Sequence, residues 1–211
     1  MNLAQPLAQG LAQLGLKLTP AARGMLMAYL ALVQKWNRVY NLTAVREPGE
    51  MVAQHLLDCL STLPHVSGAS LLDVGSGGGF PGIPLAIALP HLRVTLLDSS
   101  HKKTAFLRQA VIELQLDQVA VVCERAEAWA TTQRFDLVVS RALTDLPEFV
   151  RLAGRLVAPG GGLAAMKGIY PHEEVAQLPA GWRVRETAAL KVPGVRGERH
   201  WVCVESQGGN P

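Results

Sequence analysis

The chain is poor in several things at once. Aromatic residues make up 5% of its 211 positions, which argues against rows of base-stacking rings as its way of holding a nucleic acid. It has three cysteines, Cys59, Cys123 and Cys203, far apart and with no CxxC pair, so neither a zinc site nor a disulfide framework is expected. Isolated thiols suit a reducing compartment. No apolar run reaches the length of a bilayer-spanning helix, and the N-terminus lacks a basic stretch followed by an apolar core. A cytoplasmic protein without a membrane partner is expected. Charge of one sign is scarce too: the formal net charge is +3, with no lysine-rich tail and no arginine run. A polyanionic partner would therefore be met at a local patch.

What remains is ordinary globular material, 49% hydrophobic and 18% charged. The length suits one sizeable domain, or one with a small accessory piece. Residues 1–66 read as a helical extension. Thr19-Pro20 has the form of an N-cap followed by proline at the first helical position. Leu26, Tyr29, Leu30, Val33 and Trp36 then keep helical spacing up to Tyr40-Asn41-Leu42-Thr43. A second helix fits Pro48 to Leu63, stopped by Pro64.

The pattern changes near Ser70, and residues 67–211 read as a second unit. Short apolar runs at 71–74, 94–98, 119–123, 135–140 and 163–166 alternate, for the most part, with helical stretches such as 103–116 and 147–157. That alternation implies a parallel sheet covered on both faces. The last two strands, 182–190 and 200–205, are joined by a segment too short and glycine-rich for a helical crossover, so they should pair antiparallel.

The strongest local signal is Asp73-Val74-Gly75-Ser76-Gly77-Gly78-Gly79-Phe80-Pro81-Gly82, between an expected strand and an expected helix. Glycines there let the backbone turn sharply and approach a ligand. The second strand ends in Asp98, an acid placed to accept the hydroxyls of an adenosine ribose. Gly77, Gly79 and Gly82 formally satisfy GxGxxG, so a nicotinamide oxidoreductase has to be weighed. The turn, however, begins at Gly75 and reads GxGxxF, and the acid Asp73 stands where a dinucleotide fold carries an apolar residue. Acidic strand ends fit the ammonium and sulfonium of S-adenosylmethionine better than a pyrophosphate. A glycine-rich turn without a ligand is the bland alternative.

Further pieces recur in order: Lys35-Trp36-Asn37, Tyr40-Asn41-Leu42-Thr43, His55-Leu56-Leu57-Asp58, Leu97-Asp98-Ser99, Lys102-Lys103, Ser140-Arg141-Ala142, Lys167-Gly168 and Gly197-Glu198-Arg199-His200. With them the chain resembles the RsmG family, also called glucose-inhibited division protein B, over about residues 10–205. These are bacterial methyltransferases of small-subunit (16S) ribosomal RNA that modify N7 of a guanine near the decoding site. The resemblance implies a Rossmann-like, seven-stranded, mostly parallel α/β methyltransferase sheet with an antiparallel C-terminal hairpin and an N-terminal helical extension. It implies S-adenosylmethionine contacts at Gly75, Phe80, Ala126, Glu127 and Arg141, while Gly77 and Asp98 match the general pattern of the fold. Cys59 stands where the family often has serine, and the loop reads Gly-Gly-Gly-Phe where some members have Gly-Pro-Gly-Leu. Neither departure removes a needed side chain.

The residue after the fourth strand also limits the chemistry. The Asn/Asp-Pro-Pro-aromatic loop of exocyclic-amine methylation is replaced by Ser140-Arg141-Ala142-Leu143, and no cysteine lies in the Pro-Cys setting used at pyrimidine C5. Guanine N7 needs neither, because its lone pair lies in the ring plane and carries no proton; no general base is assigned, and catalysis rests on positioning. Arg141 is assigned by sign: N7 gains positive charge on methylation, so a guanidinium belongs on the methionine carboxylate or on an RNA phosphate, unless it is a surface ion pair. RNA-contact candidates are Lys102, Lys103, Lys167, Arg196, Arg199 and His200, each with solvent exposure as its plain alternative. Trp36 and His55 are read as core residues, and Asp58 as a partner of the N-terminal segment or of a lid over the cofactor. A monomer acting on 16S rRNA, within a small-subunit particle, is expected. A methyltransferase of a protein or small molecule would keep the glycine loop and Asp98 but have no use for the basic positions.

Overall fold

A computed structural model describes residues 3–208. Helices α1 (Ala4–Gln13) and α2 (Pro20–Tyr40) come first. Thr19 caps α2 as its sequence asks, its Oγ1 accepting from Ala22 N at 3.1 Å, with Pro20 at the first helical position. Asn41 ends the helix at φ +49, the left-handed cap conformation.

The second helix departs from expectation. It starts as α3 (Pro48–Met51), widens into a π-helical turn over Val52–Leu57, and closes as α4 (Asp58–Leu60), with a 3₁₀ turn at Leu63–His65. Periodicity alone cannot separate six π-helical residues from α-helix. Such turns concentrate at functional sites, and this one feeds the cavity described below.

Seven strands follow: β1 (Ser70–Val74), β2 (Arg93–Leu97), β3 (Val119–Val122), β4 (Phe135–Arg141), β5 (Val157–Lys167), β6 (Trp182–Ala189) and β7 (His200–Ser206). Helices α5 (Gly82–Ala88), α6 (His101–Glu113), α7 (Leu146–Ala153) and α8 (His172–Ala176) lie between them. The sheet order is β3-β2-β1-β4-β5-β7-β6. Strands β1 to β5 are parallel, and β7 is antiparallel to both β5 and β6. This is the α/β methyltransferase arrangement expected from the sequence. No helix separates β3 from β4.

Period-two alternation divides the core between the sheet faces. Leu71, Leu137, Val139 and Ala164 face a cluster shared with α1, α2, α5, α6 and the π-helical turn. Leu72, Val74, Val138 and Leu163 face a second cluster under α7. The buried residues of the N-terminal helices, Leu7, Leu26, Tyr29 and Leu56 among them, are thus continuous with one face of the sheet. Trp36 packs as a core residue does, its ring 5.6 Å from Phe106 of α6.

Candidate functional site

Parallel strands leave their C-terminal ends on one edge, where open α/β sheets bind ligands. The glycine loop after β1 sits there. Gly75, Gly77 and Gly79 have φ of +70, +58 and +89, which only glycine adopts at no steric cost. Gly79 also has a packing reason: a Cβ there would lie 2.7 Å from Ile83 Cδ1 and 2.9 Å from Tyr29 Oη. The Tyr29 hydroxyl donates to the Gly78 carbonyl, so α2 clamps the loop from behind. Asp73 accepts from Gly82 N at 2.9 Å. Burial raises its pKa to about 7, against the pull of the Gly82 amide and of Arg141.

Asp98 is buried at the end of β2 and accepts from Gly77 N (2.9 Å) and Ser100 N (2.8 Å). One carboxylate thereby ties the glycine loop to the start of α6. Lys103 Nζ stands 3.9 Å from it, its side chain partly exposed. Lys102 is exposed beside it.

Two cavities of about 470 Å³ each adjoin along this edge and share Gly75, Arg141 and Ala142 in their walls. Both fall within the roughly 300–1,000 Å³ of small-molecule sites. The first is walled further by Asp98, Lys103, Ala126 and Glu127. Ala126 is buried and its carbonyl accepts from Arg155 Nη2 at 2.8 Å, which fixes the loop after β3; Glu127 is half exposed. The second holds Gly77 and Phe80 with Thr43, His55, Asp58, Lys167 and Arg199.

Arg141 stands between them. Its Nη1 donates to the Gln54 carbonyl (3.0 Å) and to Asp58 Oδ2 (3.2 Å), and its guanidinium carbon lies 5.0 Å from the centre of the Phe80 ring. It is therefore not a surface ion pair. Ala142 beside it holds φ +58, a left-handed conformation rare for alanine and typical of residues aimed at a site.

Phe80 is buried, stacked on His55 at 4.5 Å and tilted on Tyr29 at 5.4 Å. His55 Nε2 pairs with Thr43 Oγ1 at 2.7 Å. Asn37 holds Thr43 from both sides, donating to its carbonyl (3.0 Å) and accepting from its amide (2.9 Å). Asn37, Thr43 and His55 thus form one chain of bonds, absent from the sequence-derived set of site residues. The signal lay in the Asn-Leu-Thr and His-Leu-Leu-Asp pieces.

The basic candidates separate into classes. Lys167 is committed: its Nζ lies 2.9 Å from the Thr144 carbonyl and 2.8 Å from Glu174 Oε2. Arg199 Nε lies 3.3 Å from Asp58 Oδ1. The His200 ring bonds the Gly168 carbonyl at 2.8 Å. Arg196 is exposed on the loop between β6 and β7. Among the described residues no His, Cys, Asp or Glu group could hold a metal, and no cysteine lines either cavity.

Residues 23–202 match the family described as rRNA small subunit methyltransferase G. The chain is 57% identical over 202 residues to a protein of that name from Laribacter hongkongensis, covering 96% of this chain and 98% of the relative. It is 53% identical to one from Nitrosospira multiformis, covering 99% and 100%. Among solved structures, a SAM-dependent methyltransferase from Aquifex aeolicus superposes with a TM-score of 0.59 at 19% identity, over 81% of this chain and 96% of that one. The last likeness concerns the fold.

Proposed function

The chain belongs to the rRNA small subunit methyltransferase G family, and on that premise we propose that it transfers a methyl group from S-adenosylmethionine to N7 of a guanine in 16S ribosomal RNA near the decoding region. The observation that carries the reading is the pair of adjoining cavities with Arg141 in their common wall. One suits the donor and the other the acceptor. A nicotinamide oxidoreductase is disfavoured by the same family match.

The residues present fit the cofactor. The left-handed Gly75 leaves backbone open to the first cavity, Asp98, tied to Gly77 N, lies in its wall, and Ala126 and Glu127 line it further. When bound there, S-adenosylmethionine supplies an already activated methyl on a sulfonium. Asp98 would hold the ribose hydroxyls, Ala126 and Glu127 would border the adenine, and the Arg141 guanidinium would hold the methionine carboxylate. Phe80 and His55 form a stacked wall in the second cavity, where an unpaired or flipped guanine fits.

The acceptor atom needs no proton removed, so the protein's task is alignment. His55 accords with this: burial, then the field of Arg141, lowers its pKa to about 4, which keeps the ring neutral beside an atom that turns positive. Cys59 and Cys203 are buried thiols with raised pKa, unsuited to attack on a pyrimidine ring.

Residues 1–66 act in this reading as an extension that completes the acceptor wall, and residues 67–211 as the methyltransferase unit. The RNA contacts fall to Lys102, Lys103, Arg196, Arg199 and His200 around the open edge, with Lys167 serving from within. The protein works as a cytoplasmic monomer on a small-subunit particle.

The test is transfer of labelled methyl from S-adenosylmethionine to small-subunit particles and to naked 16S rRNA from cells lacking this protein, with the modified nucleoside identified by mass. We expect 7-methylguanosine. Cofactor binding without transfer to either RNA would move the substrate to a protein or small molecule.

A further inference from the structure

Asp58 is the only carboxylate in the wall of the second cavity, where it faces two guanidiniums. It is 4% exposed. A charge so buried is costly unless paired, and both of its oxygens are engaged. Oδ2 accepts from Arg141 at 3.2 Å, and Oδ1 meets Arg199 Nε at 3.3 Å as a charge contact without hydrogen-bond geometry. The three residues come from the α4 turn, the tip of β4 and the loop end just before β7. A second contact accompanies the pair: a Cβ on Gly194 would stand 3.1 Å from the Ala53 side chain, so the loop between β6 and β7 lies directly on the π-helical turn.

The two arginines depend on Asp58 unequally. Without it Arg141 keeps the Gln54 carbonyl and the Phe80 ring. Arg199 keeps only the carbonyl of its neighbour Glu198, at 2.7 Å. Asp58, Arg141 and Arg199 all line the second cavity. We propose that Asp58 is a positioning residue for both substrates, holding Arg141 toward the donor and Arg199 over the acceptor, so that the loop carrying Arg199 and the cofactor wall keep one fixed relation.

This inference rests on the reading of the two cavities given above. It is tested with wild type, Asp58→Asn, Arg199→Gln and the double variant, using RNA KM and kcat in methyl transfer, calorimetric affinity for S-adenosylmethionine, and the thermal midpoint. Asn keeps the shape of Asp and removes its charge. We expect Asp58→Asn to raise the RNA KM about tenfold in the wild-type background and to leave it unchanged in the Arg199→Gln background. Cofactor affinity should fall by a smaller factor in both backgrounds, because Arg141 keeps its other anchors. Equal effects of Asp58→Asn on KM in the two backgrounds, or none in either, would overturn the role through Arg199. If Asp58→Asn does not fold, Arg199→Gln reads the same contact from the loop side, and an unchanged RNA KM there is equally fatal. If the wild type methylates no RNA, the functional reading falls instead; a loss of cofactor affinity in Asp58→Asn then supports the Arg141 half of the proposal, and its absence sinks it.

Discussion

Burial behind Phe80 and the nearby Arg141 charge both oppose protonation of His55, whose pKa drops from 6.5 to about 4. The unfolded chain therefore binds this proton before the folded one does. The stabilisation is whole above pH 6.5 and is lost as pH falls through 6.5 toward 4. Asp73 acts oppositely: its pKa is raised from 3.8 to about 7, so what it contributes at low pH is lost as pH rises through that window. The two partly cancel in the wild type. The difference between wild type and His55→Gln isolates the imidazole, because Asp73 is common to both. That difference should shrink by up to about 3 kcal/mol between pH 7 and pH 4 in urea unfolding. A difference constant with pH would mean that the ring titrates alike in the folded and the unfolded chain.

At the scale of elements, Lys167 joins three pieces at the end of β5. Its ammonium holds the Thr144 carbonyl after β4 and Glu174 of α8, and Glu174 also accepts from Leu146 N at 2.7 Å, at the start of α7. Lys167→Ala should lower the thermal midpoint, by about 1–3 kcal/mol of stability, and reduce RNA methylation with it. An unchanged midpoint with a raised RNA KM would return Lys167 to direct phosphate contact. Sequence showed this lysine and its place at a strand end, but not Glu174, which reaches it only through the docking of α8.

The same division between local and tertiary information runs through the elements. Strand alternation, the Thr19 cap and the C-terminal hairpin are written in neighbouring residues, and the sequence reading found them. The start of β5 is not. The sequence places the fifth strand at 163–166, yet it runs from Val157 through Gly160-Gly161-Gly162, where a Cβ at Gly161 would lie 2.8 Å from the Asp136 carbonyl and only glycine permits that approach. In the site, Gly75, Asp98, Ala126, Glu127 and Arg141 border the first cavity, while Gly77 and Phe80 border the second. The pairing of Asp58 with Arg141 and Arg199 depends on topology, since those residues lie far apart along the chain.

At the scale of the molecule, the division at residue 66 separates two kinds of sequence but not two cores. Leu26, Tyr29 and Leu56 share one cluster with Leu71, Ile83 and Phe106. A chain beginning at residue 67 would expose that whole face and strip Arg141 of Gln54 and Asp58. It should fail to give a cooperative near-ultraviolet unfolding transition and should bind a hydrophobic dye. A truncated chain that unfolds cooperatively and keeps wild-type cofactor affinity would make the extension an independent appendage.

The position of β7 sets an order on the protein's own birth. It is the last strand of this sheet to leave the ribosome, yet it fills the gap between β5 and β6. Until it is translated, β5 presents a bare edge and β6 has no strand to lie against. Unpaired edges of that kind are where nascent chains stick to one another. Transcripts cut short before codon 200 would therefore yield aggregating fragments in place of weakened enzymes, and the burden on the chaperones of the cell would last until β7 is made.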